Sequence, residues 1–195
     1  MLERVRSALA DSPERAGRVV EFDERGRRTP AAVLFPLVQR EELTVLLTQR
    51  TAHLKDHPGQ ISFPGGRIEE TDDSPLDAAL RETEEEIGLS RQHISILGYL
   101  PRYLTGTGFE VTPVVGLVQP PFELTKQAFE VAEIFEVPLA HFLEAANYHR
   151  MSVHHEDRRR SFYNIPFQHR FVWGATAGMI RTLFDRLPPV GGTTV

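Results

Sequence analysis

The stretch from Phe63 to Leu89, FPGGRIEETDDSPLDAALRETEEEIGL, constrains this chain more than any other. Ser74 supplies a side-chain oxygen to cap the first amides of a helix. Pro75 suits the first helical position, where its missing N–H is not needed. Leu76, Ala79, Leu80, Thr83 and Ile87 recur at helical spacing and form a buried stripe. Gly88 closes the helix, because glycine takes the left-handed conformation at little cost. The spacing predicts one helix over Pro75 to Ile87, just after a Gly-Gly turn. Glu82, Glu85 and Glu86 then stand three and four apart on one side of it.

That placement works against the helix. Like charges at i,i+4 cost about 0.2–0.5 kcal/mol per pair, and these acids sit in the last turns, where the helix dipole prefers cations. Arg81 can reach Glu85, in the weaker of the two orientations. A divalent cation would offset the rest, since carboxylate oxygens are ligands that Mg²⁺ prefers. A solvated acidic face is the plain alternative. The opposition to the dipole and the adjoining Gly-Gly turn weigh for the metal.

The rest of the chain is read around this helix. Its 195 residues suit a single domain over 1–195 with a proper core. Residues 1–12 or so, opening MLERVRSALADS, alternate charge with Leu, Val and Ala and predict a short amphipathic helix, not a signal peptide. Val19 to Thr29 is charged and reads as irregular. Ala31 to Val38 and Thr44 to Arg50 are strand candidates joined by a polar turn, a hairpin feeding a longer sheet. After the acidic helix, His93 to Leu100, Thr112 to Val118 and Glu130 to Val137 read as strands, with a Gly-rich loop around Thr105 to Gly108. Leu139 to Ala146 reads as a helix. Tyr148 to His154 and Ser161 to Phe171 read as strands around a charged turn. Ala175 to Leu187 predicts a closing helix, and 188–195 a loose tail. Strands, a helix, more strands and a terminal helix together predict an α/β (α+β) fold with a mixed sheet between helices.

Bulk properties exclude several function classes. The net charge of -5 argues against a nucleic-acid surface as the main function, while leaving room for a local basic pocket. With no cysteine there is no disulfide, thiolate metal site or cysteine nucleophile, which fits a reducing cytoplasm. No apolar run approaches membrane-spanning length. Just before the Gly-Gly turn, Arg50, His53, Lys55 and His57 form a basic cluster, suited to neutralising phosphate charge.

The segment Arg81-Glu82-Thr83-Glu84-Glu85-Glu86-Ile87-Gly88-Leu89 resembles the Nudix box, with Thr83 where that pattern has an aliphatic residue. The left half departs. Counting from Gly66 reaches Asp72 where the pattern has Glu, and counting back from Arg81 reaches Asp73, so the loop looks one residue longer. Upstream, Leu46, Leu47, Thr48, Arg50, Gly59, Phe63, Pro64, Gly65 and Gly66 fall in register with the signature of coenzyme A pyrophosphatases within that superfamily. Thr51 stands for Ser or Ala, and Lys55 for Arg.

The resemblance implies the Nudix fold and hydrolysis of the diphosphate bond of coenzyme A or a derivative, with Mg²⁺ (or Mn²⁺ in its place) as cofactor. The products would be 3′,5′-ADP and 4′-phosphopantetheine or its acyl form. Glu82 and Glu86 are the leading metal ligands. Glu85 is a third ligand or orients the attacking water, and Arg81 aligns a carboxylate. Arg50, Lys55, Gly65 and Gly66 fall to substrate binding, with the Gly66 carbonyl also offered to the metal. Glu110 and Glu130 are general-base candidates. Glu69, Glu70, Asp72 and Asp73 either bind a second metal or solvate the loop. The partner is thus a small molecule, not nucleic acid or membrane, and the setting cytoplasmic. Three other readings stand beside this one: a Nudix hydrolase of ADP-ribose or dinucleotides, a non-catalytic nucleotide-sensing Nudix domain, and a membrane-surface protein acting through the N-terminal helix. The intact box carboxylates weigh against the second, and the balanced charges of Glu3, Arg4, Arg6 and Asp11 against the third.

Overall fold

The computed structural model describes residues 1–20, 28–155 and 158–188. Two short helices open the chain, α1 (Leu2–Ala8) and α2 (Pro13–Ala16). The single helix expected near 1–12 stops at Ala8, where Leu9 turns extended and Ala10 exchanges two backbone hydrogen bonds with Tyr99; Pro13 holds Ser12 extended before the second helix. Ser12 then caps the second turn, its hydroxyl accepting from the Arg15 amide. The strands β1 (Arg18–Val20), β2 (Thr29–Gln39), β3 (Leu43–Arg50), β4 (Ile61–Ser62) and β5 (Gly65–Arg67) precede the long helix α3 (Pro75–Ile87). After it come β6 (Ile94–Tyr99), β7 (Arg102–Leu104), β8 (Phe109–Val118) and β9 (Val131–Pro138), then α4 (Leu139–Phe142). The chain closes with β10 (His149–His155), β11 (Arg158–Phe167), β12 (Arg170–Trp173) and α5 (Gly174–Arg186).

The main sheet is mixed. Its strands run β1-β7-β8-β2-β3-β4, with β5 also on β2, β6 on β8 and β9 on β3. The β2–β8 and β1–β7 pairs are parallel, and the others antiparallel. Successive side chains of a strand point to opposite faces, and β2 is apolar on both. Ala31, Phe35 and Leu37 join one core with α1, α4 and α5, through residues such as Val5, Phe142, Ile180 and Leu183. Ala32 and Leu34 join the other with Ala78, Ala79 and Leu80 of α3, and Val38 meets Leu46, Ile87 and Leu89 beside it. The sheet thus lies between α3 and the remaining helices. Burying a Leu contributes about 1.5–3 kcal/mol, which outweighs the like-charge cost along α3.

Several expectations shift. The irregular segment expected from Val19 begins instead on β1, and 21–27 lie outside the described residues. The strand expected over Ser161 to Phe171 is two strands, because Gln168 turns the chain at φ 54. With β10 they make a second, three-stranded sheet, tied to β9 by the Arg170–Glu133 ion pair and by Arg170 over the Phe135 ring at 4.4 Å. The helix expected to reach Ala146 stops at Phe142, followed by a tight turn at Ala145–Asn147. Of the tail, Pro188 accepts through its carbonyl from Arg4, at 2.6 Å from Nη2; 189–195 lie outside the described residues. No described helix is long and apolar enough to cross a membrane.

Candidate active site

Helix α3 spans the expected residues because both ends are capped. The Ser74 hydroxyl accepts from the Asp77 amide at 3.2 Å and donates to its carboxylate at 2.7 Å. Gly88 is left-handed at φ 67, and its N–H donates to Glu84 O. The amides of Gln127 and Thr125 donate to Glu86 O and Ile87 O at 2.8 and 2.9 Å. Carbonyls that would otherwise be open at the acidic end of the helix are thereby satisfied.

The three glutamates are not equivalent. Glu86 belongs to the buried side, only 8% exposed, and accepts from the Gly65 amide at 3.3 Å. Burial pushes its carboxyl up to about 8. The Gly65 N–H and the Arg50 charge oppose this, while Glu82 and Glu130 add to it. Glu82 is half-buried and also raised, by burial first; Arg81 opposes, and Glu85 and Glu130 reinforce. Glu85 is mainly in solvent.

The Gly-Gly pair is required sterically. Gly65 (φ 149) and Gly66 pair with Val33 and Ala32 of β2. A Cβ on Gly65 would collide with the Ala32 carbonyl and lie 2.6 Å from Val33 Cα. Backbone cannot move aside, so Gly65→Ala is expected to cost about 2 kcal/mol or more through overpacking and strain, read as a lowered melting temperature. A Cβ on Gly66 would instead meet the Glu82 carboxylate at 2.5–2.7 Å.

Arg81 ties the lengthened loop to the helix. Its Nε and Nη2 each lie 2.9 Å from an Asp72 oxygen, a bidentate pair. Nη1 reaches Glu82 at 2.9 Å and Glu85 at 3.3 Å, and Nη2 also donates to Arg67 O at 3.3 Å. Asp72 further accepts from the Glu69 amide at 2.8 Å. Of the four loop acids, Asp72 is thus the one that turns inward, while Glu69, Glu70 and Asp73 are exposed. Its bonds from Arg81, helped by the Glu69 amide, hold the Asp72 carboxyl down at about 2, against an ordinary 3.8. A depressed folded-state value stabilises the fold above pH 3.8, and that contribution disappears as pH falls through about 2. Asp72→Asn is therefore expected to be less stable than wild type at pH 7, with the gap closing between about pH 4 and 2, measured by urea unfolding across that range.

A cavity of about 490 Å³ opens over the Gly-Gly strand, lined among others by Arg50, His57, Gly65, Gly66, Phe162 and Trp173. The Nε of Arg50 is buried and has no hydrogen-bond partner. At Gln49/Arg50 the β3–β9 register slips, the kind of bulge that re-aims a side chain beside a site. Lys55 is exposed on the loop from Thr51 to Gln60 and is not part of the lining. Glu130 lies within electrostatic reach of Glu82 and Glu86. Glu110 is instead paired with Arg102 at 2.9 Å and Arg18 at 3.4 Å. Thr51 contributes what its sequence position did not signal: its hydroxyl donates to Phe129 O at 2.7 Å and its amide to Glu130 O at 2.9 Å, fixing the segment that carries Glu130.

Among the described residues no three acidic or imidazole groups converge into a ready-made metal cage. The donor set nonetheless fits Mg²⁺, which usually takes one or two protein carboxylates and fills its sphere with water and substrate phosphate. Burial, with Glu82 and Glu130 nearby, pushes the Glu86 carboxyl up to about 8 and so favours its neutral form; a bound cation would favour the ionised form instead.

A family model described as the NUDIX domain matches residues 27–156. The uncharacterized Nudix hydrolase NudL of Enterobacter sp. (strain 638) is 44% identical over 156 residues, covering 80% of this chain and 81% of its own length. NudL of Cronobacter sakazakii is 44% identical over 153 residues, covering 78% and 80%. Among solved structures, the NUDIX domain of Shewanella oneidensis NrtR, complexed with ADP ribose, aligns with TM-score 0.53 and 18% identity over 84% of this chain and 91% of that one. A MutT/nudix family protein from Enterococcus faecalis aligns with TM-score 0.51 and 20% identity, over 85% and 64%. These structural likenesses bear on the fold, a mixed sheet with flanking helices. With the NUDIX model matching residues 27–156 and a NudL relative 44% identical over 80% of this chain, the chain belongs to the Nudix hydrolase family.

Proposed function

We propose that the protein hydrolyses the diphosphate bond of coenzyme A or a derivative, with Mg²⁺ as cofactor. The observation that carries this reading is a buried carboxyl bonded to the Gly65 amide, beside a cavity that Gly65 and Arg50 both line. The buried Glu86 carboxylate lies against Gly65, and the buried Arg50 Nε lacks an acceptor. A cation would satisfy the first and a diphosphate oxygen the second. Mg²⁺ held by Glu82 and Glu86, with Glu85 and the Gly66 carbonyl as further donors, would neutralise phosphate charge and lower the pKa of bound water.

The chain's own residues do the positioning on which phosphoryl transfer depends. Arg50 binds the diphosphate. Arg81 is a positioning residue, holding Glu82 against the loop through Asp72. Glu130 takes a proton from the attacking water as its oxygen bonds to phosphorus and the anhydride oxygen leaves. Lys55, on the exposed loop, meets the substrate only at the cavity rim. The coenzyme A preference is supported by the Leu46–Gly66 signature, whose Arg50, Gly65 and Gly66 all line the cavity.

The test offers coenzyme A, acetyl-coenzyme A, ADP-ribose and NADH separately with Mg²⁺ and identifies products by mass. Release of 3′,5′-ADP from coenzyme A with little action on ADP-ribose is the expected result. Cleavage of ADP-ribose or NADH alone would discard the substrate and keep the hydrolase. No cleavage of any, with metal bound, would favour a nucleotide-sensing domain.

A further inference from the structure

A second cavity, of about 640 Å³, lies away from the helix carboxylates. It adjoins the first, since Phe162 and Gly174 line both. Four arginines, Arg18, Arg150, Arg181 and Arg186, line it against a single carboxylate, Asp185. In a chain of net charge -5 this is a local concentration of cations, and such a cleft focuses potential for an anion.

The arginines are arranged to bind, not merely to solvate. Arg181 is pre-positioned: its Nη2 is 2.6 Å from Asp185, and its guanidinium lies 5.2, 5.7 and 4.6 Å from the ring centres of Tyr148, Tyr163 and Phe184. Its Nε is buried without an acceptor. Arg186 commits its Nε to Ala8 O at 2.9 Å. Arg150 is exposed, with no ion pair to any described residue. Several guanidinium forks around one space match the geometry of a phosphate dianion. Phe162 lines both cavities and Trp173 the first, their ring centres 5.7 Å apart, and each offers an apolar face to a planar base.

We propose that this arginine-lined cavity is a phosphomonoester subsite that receives the 3′-phosphate on the adenosine half of the substrate while the diphosphate lies at Arg50. Its occupant rests on the coenzyme A reading. The cavity would be what separates a substrate bearing a ribose phosphate from one without it.

Trp173 is the chain's one tryptophan and lines the site cavity, so its fluorescence reports ligand entry. The full chain is titrated with adenosine 3′,5′-bisphosphate and with adenosine 5′-monophosphate. Wild type is expected to bind the bisphosphate about tenfold or more tightly, the effect of a charge-assisted hydrogen bond. Arg150→Glu, a change at an exposed strand position, is expected to abolish that preference and leave monophosphate affinity within about twofold. Arg181→Lys is expected to weaken the bisphosphate selectively as well, because lysine lacks the fork. Equal affinities in wild type, or equal losses for both ligands in Arg150→Glu, would overturn the proposal. Failure to hydrolyse coenzyme A would count against the functional reading and leave this binding comparison to decide the cavity.

Discussion

Glu86→Gln is expected to lower Mg²⁺-dependent hydrolysis of coenzyme A by about 10³-fold or more, because metal charge stabilisation is worth several kcal/mol and each 1.4 is a factor of ten. The substitution keeps the volume and leaves an oxygen to accept from Gly65. It removes a buried negative charge that the metal-free fold tolerates poorly, as the rise of its carboxyl to about 8 reflects. Sign matters here. A carboxyl with a raised folded-state value costs stability as pH climbs from its ordinary 4.5 through about 8. The metal-free variant should therefore match or exceed wild type in melting temperature, most clearly at pH 8. Loss of activity with an unchanged or higher melting temperature would mark Glu86 as functional. A parallel loss of both would make it structural.

Gly66→Ala is expected to reduce turnover by about 10²-fold, the scale of effect when a reacting group is displaced by roughly an ångström. The added methyl would occupy the space of the Glu82 carboxylate, whose atoms would lie 2.5–2.7 Å away. That carboxylate is the far end of a flexible side chain, so it swings aside and the backbone stays. The contrast with Gly65→Ala is informative. There the added methyl would meet the backbone of Ala32 and Val33, and the fold bears the cost. Adjacent glycines should thus separate activity from stability, checked by turnover and thermal melts on both variants. Equal melting losses in the two would remove Glu82 as the group that Gly66 makes room for.

Legibility in the sequence followed the range of the interactions. Helix α3 could be read to its ends, because Ser74, Pro75 and Gly88 are local signals. The strands β2 and β3 were nearly as plain, since apolar residues fill both faces. The burial of Glu86 was not legible: it depends on Gly65, a strand edge brought against the helix by pairing with Val33. Nor was the choice of Asp72 over Asp73 as the partner of Arg81, since an extra loop residue leaves the count ambiguous until the clasp is seen. The second sheet was hidden by Gln168, whose positive φ has no glycine to announce it. The link from Thr51 to Phe129 and Glu130 joins residues 78 or more apart in the chain, and spacing does not encode such contacts. The four arginines of the second cavity come from three elements far apart in the chain, β1, β10 and α5, and were hidden for the same reason.

The most direct measurement places wild type and Glu86→Gln side by side with coenzyme A and Mg²⁺ and follows products by mass spectrometry. Wild type is expected to yield 3′,5′-ADP and 4′-phosphopantetheine, with almost none from the folded variant. Equal product from both would contradict the assignment of the chemistry to this helix.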